Sequence, residues 1–97
     1  MPHYISLLRY TQKGAENIKR GGERIDAAKK AFAAAGGKMH ATYLTMGRYD
    51  VVAISEFPDD ETAARVLLSI ASQGNVQTET LRAFPEDQTR KILASLK

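Results

Sequence analysis

Two strand-like segments lie so close together along the chain that they can pair only as a hairpin. They are residues 38–45 (KMHATYLT) and 51–57 (VVAISEF), and only MGRYD lies between them. A parallel pair needs a crossover of roughly a dozen residues or more, which this connection cannot supply. The sequence therefore predicts an antiparallel pair here, and the rest of the fold has to be built around it.

One further strand and one helix are predicted on each side of the hairpin. The strands are residues 3–10 (HYISLLRY) and 76–84 (VQTETLRAF). The helix before the hairpin ends at a glycine pair, and its apolar face consists of Ile25, Ala28, Phe32 and Ala35. The helix after the hairpin has an acidic first turn, and its apolar face consists of Ala63, Val66, Leu67, Ile70 and Ala71.

The predicted order is therefore β-α-β-β-α-β, followed by a last helix in residues 85–97. This order is typical of the α+β, ferredoxin-like fold, in which both main helices cover one face of a four-stranded antiparallel sheet. Each strand contributes side chains to both faces, and periodicity does not decide which set the helices cover. Because the uncovered face would be partly apolar, we expect a nucleic acid, a ligand or a second copy of the chain to cover it.

Length and composition limit the protein to a single domain over residues 1–97. There is no cysteine, so the chain forms no disulfides and offers no thiolate for catalysis or zinc binding. A reducing, cytoplasmic location is the expectation. No segment approaches the roughly 18 consecutive apolar residues of a membrane span, so we expect no membrane partner.

The net charge of +3 is concentrated in residues 13–38, which carry seven basic and three acidic residues. Such a segment can bind phosphate, but the charged outer face of an amphipathic helix has the same composition, and we favour that interpretation. RNA-recognition domains with this element order need stacking aromatic residues on the third strand, where this chain has DVVAISEF. We therefore expect no nucleic-acid partner.

Several segments together resemble the GYD domain family. They are Gly47-Arg48-Tyr49-Asp50 followed by VVAI, then Pro58-Asp59-Asp60, and the terminal GNVQTETLRAF. Thr11 and Gly14 also fit, whereas Gly21-Gly22 stands where a helix-starting serine, threonine or proline is expected. The resemblance implies a fold similar to the dimeric α/β barrel group, whose members pair open sheet faces. It implies no particular reaction, so no catalytic residue is carried over to this chain.

The motif residues Gly47, Tyr49 and Asp50 have a structural interpretation that we prefer. Gly47 can adopt the positive φ of a tight hairpin, Asp50 can accept hydrogen bonds from turn N–H groups, and Tyr49 can pack beside the turn. If Asp50 were instead buried against a partner group, its pKa would shift and it would become a candidate acid or base.

His40 is the other weak catalytic candidate, together with Tyr43 beside it in the second strand. A histidine there could shuttle protons or bind a metal or haem, although most single histidines are structural. The only other histidine, His3, lies on a strand that does not neighbour the second strand in this fold. We therefore expect neither a metal site nor a bound cofactor.

Two functional hypotheses remain open. In the first, the chain is a binding module that forms a homodimer or higher homo-oligomer through its open sheet faces, with room for a small organic ligand in the resulting cavity. In the second, it is a small cofactor-independent enzyme, oxygenase-like or isomerase-like, that uses an inter-subunit cavity. The second hypothesis requires His40, Tyr43 or Asp50 to lie in a water-excluding pocket, so the sequence leaves enzymatic activity undecided.

Overall fold

The computed structural model describes all residues from Met1 to Lys97. It confirms the α+β order, and every strand ends within one residue of its predicted position. A short 3₁₀ turn, Ile18–Arg20, precedes the second helix. The elements are β1 (His3–Tyr10), α1 (Gln12–Glu16), α2 (Gly21–Ala34), β2 (Lys38–Leu44), β3 (Val51–Glu56), α3 (Asp60–Ser72), β4 (Val76–Ala83) and α4 (Glu86–Ala94).

The four strands form one antiparallel sheet in the order β2-β3-β1-β4. The predicted hairpin is formed by β2 and β3, and β1 is inserted between β3 and β4. This is the ferredoxin-like arrangement, in which α2 connects β1 to β2 and α3 connects β3 to β4.

The core lies between one sheet face and the two long helices. Tyr4 of β1, Phe32 of α2 and Phe57 after β3 form its aromatic part, and Ala63 and Leu67 of α3 complete it. The rings of Phe32 and Phe57 lie 4.8 Å apart between centroids, and Phe57 is fully buried. Burying a phenylalanine removes a large apolar area from water, so this aromatic group anchors both helices to the sheet.

The acidic start of α3 is confirmed and is tied to the core. The Thr62 N–H donates to Asp59 Oδ1 at 2.8 Å, and hydrogen bonding from the side chain and then the backbone of Thr62 lowers the pKa of the Asp59 carboxyl. The Tyr4 hydroxyl donates to Asp60 Oδ1 at 2.5 Å. Burial and then this hydrogen bond raise the pKa of Tyr4 to about 12, so the phenol stays neutral at physiological pH.

Gly21 and Gly22 are the first two residues of α2. The helix begins at Gly21, and the preceding Arg20 supplies no side-chain cap, which explains why no capping residue marks this boundary in the sequence. At the other end of α2, Gly36 has a φ of 80°, which is the left-handed conformation expected where a helix ends at a glycine.

The last helix, α4, is present but leaves its apolar residues exposed in the single chain. Ile92, Leu93 and the following Leu96 are each more than two-fifths exposed. We expect these exposed side chains to pack against a partner chain. No helix is both long and apolar enough to cross a membrane.

Candidate functional site

The structure decides which side chains the helices cover. Tyr4 and Ser6 of β1 and Ala53 and Ser55 of β3 are buried toward α2 and α3. Because side chains alternate along a strand, the residues between them point to the opposite side of the sheet. We call the helix-facing side the covered face and the other side the open face.

Two apolar rows run across the open face. The strand register gives one row of Ala41, Ile54, Ile5 and Leu81, and an adjacent row of Tyr43, Val52 and Leu7 that ends at Glu79. Leu81 and Tyr43 are 45% and 58% exposed, and the other apolar members are half-buried by their neighbours. No part of the chain covers these rows, so the open face is a contiguous apolar surface of the kind that usually binds a partner.

At one end of the open face, His3 and His40 lie on either side of Glu56. His40 Nε2 is 2.5 Å from Glu56 Oε2, and His3 Nε2 is 3.6 Å from Glu56 Oε1. The two imidazole rings are nearly parallel, with centroids 5.6 Å apart. The hydrogen bond from His40 is the main reason that the pKa of the Glu56 carboxyl is lowered.

This arrangement corrects the inference that strand order keeps the two histidines apart. Strands β1 and β2 are indeed not neighbours, but only β3 separates them, and Glu56 of β3 lies directly opposite His3. The register of β2 against β3 is interrupted between Met39 and Ala41, so His40 is the extra residue of a β-bulge. Bulges change the direction of a side chain, and this one brings His40 to the carboxylate.

At the other end of the open face, Tyr49 links the hairpin turn to β4. Its hydroxyl donates to Glu79 Oε2 at 2.8 Å, and the Arg9 guanidinium lies 5.0 Å from the centre of its ring. Tyr49 therefore does more than pack beside the turn, because its contacts reach across the sheet to β1 and β4.

The other two motif residues also have defined structural roles. Gly47 has a φ of 134°, which confirms the predicted positive φ. Asp50 does accept a backbone hydrogen bond, but its donor is the Tyr10 N–H of β1 at 2.8 Å rather than a turn N–H. The Asp50 N–H donates in turn to the Leu8 carbonyl at 2.9 Å, so Asp50 fastens the hairpin turn to the end of β1.

The covered face contains a cleft of about 370 Å³ between the sheet and the two long helices. Its floor includes the small side chains of Ser6, Ala53 and Thr78, and its helical wall includes Ala28 and Ala31. Small residues on both layers leave space that larger side chains would fill. This cleft lies within one chain, and the cavity between subunits stays a prediction.

The structure does not bring the three catalytic candidates together. His40 lies at the end of the sheet near His3, Tyr43 is exposed on the open face, and Asp50 lies near the far end of β1. None of the three lines the cleft. The grouping of His3 and Glu56 with His40 was missed because it depends on a bulge, and alternation of apolar and polar residues does not reveal one.

Comparisons with known proteins agree with the fold and identify related chains. A family model described as GYD domain matches residues 4–93. A Thermus thermophilus protein named glutamine synthetase and cystathionine beta-lyase binding protein is 38% identical over 86 residues, which are 88% of this chain and 90% of that protein.

Two solved structures share the architecture. A crystal structure of a Thermus thermophilus protein has a TM-score of 0.56 at 30% identity, covering 88% of this chain and 95% of that one. A hypothetical protein from Pyrococcus horikoshii has a TM-score of 0.56 at 18% identity, covering 89% of this chain and 93% of that one. The second likeness concerns the fold alone.

Proposed function

The chain belongs to the GYD domain family, and we propose that it is a binding module that pairs with a second copy through the open face and attaches to other proteins. The observation that carries this proposal is the pair of apolar rows that no element of the chain covers. The name of the related Thermus thermophilus protein supports protein partners, since it describes binding to two enzymes.

The accessible surface of the chain supports pairing. A folded monomer of 10.7 kDa is expected to expose about 5,500 Å². This chain exposes 6712 Å², and only nine of its 97 residues are buried. The excess of about 1,200 Å² exceeds the roughly 800 Å² that each partner buries in an interface of standard size.

The distribution of polar groups also suits a specific interface. The apolar rows are bordered at one end by His3 and Glu56 and at the other by Arg9 and Tyr49. Interfaces commonly combine an apolar centre with a polar rim, and the rim fixes orientation more than it adds affinity. In the pairing we propose, the rows of one copy contact those of the other.

Attachment to an enzyme can be tested with purified glutamine synthetase and cystathionine beta-lyase from the organism that encodes this chain. Biolayer interferometry with the immobilised chain should give saturable binding to at least one of them. Leu93→Glu on α4 and Leu68→Glu on α3 each place a charge on an exposed leucine, so loss of binding in one variant alone locates the contact with the enzyme. If neither enzyme binds saturably, neither enzyme is a partner of this chain.

A small organic ligand in the cleft is a second candidate function, favoured by the largely apolar lining of that space. A volume of about 370 Å³ lies within the range of small-molecule sites. The amphipathic fluorescent anion anilinonaphthalene sulfonate should bind the wild-type chain through its aromatic rings and be excluded by Ala28→Phe, which fills the cleft. Ala33→Phe is the matched control, because Ala33 is exposed and does not line the cleft.

The enzyme hypothesis has less support from the geometry. It requires His40, Tyr43 or Asp50 in a water-excluding pocket, and these side chains lie at separate places on the sheet. Asp50 is engaged with the Tyr10 N–H, and Tyr43 is more than half exposed. A binding module needs no such convergence, so binding is the function that we propose.

A further inference from the structure

The group formed by His3, His40 and Glu56, which we call the His–Glu cluster, offers a set of metal ligands outside the apolar rows. One ligand atom from each side chain lies within 4.8 Å of the other two. Two imidazole nitrogens and one carboxylate oxygen form a common ligand set for divalent transition metals. We propose that the His–Glu cluster binds a divalent transition-metal ion such as Zn²⁺.

The distances within the cluster require only small side-chain movements to bind an ion. Ligand atoms about 2.1 Å from a tetrahedral Zn²⁺ lie roughly 3.4 Å from one another. His3 Nε2 is already 3.6 Å from Glu56 Oε1, and His40 Nε2 is 2.5 Å from Glu56 Oε2. Both imidazoles thus present a nitrogen to the same carboxylate. A bound ion would move His40 Nε2 and Glu56 Oε2 slightly apart.

The backbone holds the three ligands on rigid elements. His3 and Glu56 are cross-strand partners on the two central strands, at the end of the sheet, and the bulge in β2 directs His40 to the same carboxylate. Sites built on strands keep their ligands closer to a productive geometry than sites built on loops. The proposed site therefore needs no ordering of a flexible segment before the ion binds.

Few other polar contacts compete for these side chains. Neither histidine makes a side-chain hydrogen bond to a group other than Glu56, and the buried Nδ1 of His3 has no partner. The three side chains remain between 19% and 32% exposed, so an ion and its waters can reach them.

The ligand types also predict which ion is selected. Imidazole favours Zn²⁺, Cu²⁺ and Ni²⁺ over Mg²⁺ and Ca²⁺, which prefer sites made of oxygen atoms alone. Three protein ligands leave at least one coordination position for water. We therefore expect the chain to bind Zn²⁺ and to show no response to Mg²⁺ at the same concentration.

The test is calorimetric titration of tag-free, EDTA-treated protein with ZnCl₂, followed by thermal unfolding with and without the ion. The expected result is one Zn²⁺ per chain and a higher unfolding midpoint, with no change for MgCl₂. His40→Gln and Glu56→Gln should each weaken Zn²⁺ binding at least tenfold. Glu79→Gln should leave it unchanged, because Glu79 lies on the same face but far from the cluster.

Three results would each overturn the proposal. The first is the absence of saturable Zn²⁺ binding to the wild-type chain, and the second is equal affinity in His40→Gln, Glu79→Gln and wild type. The titration of the wild-type chain tests the proposal even if a variant fails to fold. Bound Co²⁺ should give a visible absorption band that Zn²⁺ abolishes, and failure of Zn²⁺ to displace the Co²⁺ signal would also contradict the site.

Discussion

The two faces of the sheet contain similar proportions of apolar residues but use them differently. On the covered face the central row is made of small side chains, Thr42, Ala53, Ser6 and Thr80. On the open face the rows contain isoleucine, leucine and valine. In these central rows, therefore, the larger side chains point away from the helices, toward the side that the chain leaves uncovered.

The size of the apolar side chains therefore does not by itself show which face of the sheet forms the core. The covered face is stabilised at one end by the aromatic group around Phe57 and remains a cleft at the other end. The open face has no such group and contributes to folding only through contacts within the sheet. We therefore expect substitutions on the covered face to change the free energy of unfolding, and substitutions on the open face to change association.

The largest expected effect is at Phe57. Phe57→Ala should lower the free energy of unfolding by about 3–5 kcal/mol, because it leaves a cavity beside Phe32 and Tyr4. Leu7→Ala on the open face should cost about 1 kcal/mol or less when urea unfolding is followed at low protein concentration. Equal losses for the two variants would show that the faces do not differ in this way.

The next effect concerns association. Ile54→Glu places a charge in the centre of an apolar row and should weaken pairing at least a hundredfold without unfolding the chain. Leu68→Glu is the matched control, since Leu68 is 69% exposed on α3 and lies outside the open face. Sedimentation velocity should show a monomer for the first variant and wild-type association for the second. Loss of association in both variants would contradict a specific role for the open face.

Alkaline pH should weaken the covered face through Tyr4. Its folded-state pKa of about 12 lies above the ordinary value of 10.0, so its contribution to stability is complete below pH 10 and lost as the pH rises toward 12. The expected loss is about 2–3 kcal/mol. Tyr4→Phe should lose less stability over the same pH interval in urea unfolding, and identical pH profiles would argue against this role of Tyr4.

The smallest effects are expected at the hairpin turn. Tyr49→Ala removes the contacts with Glu79 and Arg9 and should cost about 1 kcal/mol, which lowers the unfolding midpoint by several degrees. Asp50→Asn should be tolerated to within about 0.5 kcal/mol, because the amide oxygen can still accept from the Tyr10 N–H. Calorimetric scans of both variants would measure these shifts. An unchanged midpoint for Tyr49→Ala would contradict its anchoring role.

Most of the fold could be predicted from the sequence because local patterns determine it. The short connection at MGRYD requires a hairpin, and helical spacing of apolar residues identifies α2 and α3. The covered face could not be chosen in advance, since both sets of side chains include apolar residues. That choice depends on how Phe32 of α2 and Phe57 after β3 pack together between the helices and the sheet. No single segment of the sequence shows this packing.

The candidate site was less predictable because its parts come from distant segments. Gly47 and its positive φ follow from turn chemistry, which is local. The partner of Asp50 lies 40 residues earlier in the chain, and the cluster around Glu56 joins residues from three strands through a bulge. Residue type suggested that His40 could matter, but only the strand register brings His3 to it.

The most direct test of the proposed binding module is native mass spectrometry of the wild-type protein, purified without denaturant and diluted through the micromolar range. Our account predicts a dimer of the 10.7 kDa chain, or a multiple of that dimer, because pairing covers the apolar rows of the open face. A chain that remains monomeric at every concentration would contradict it.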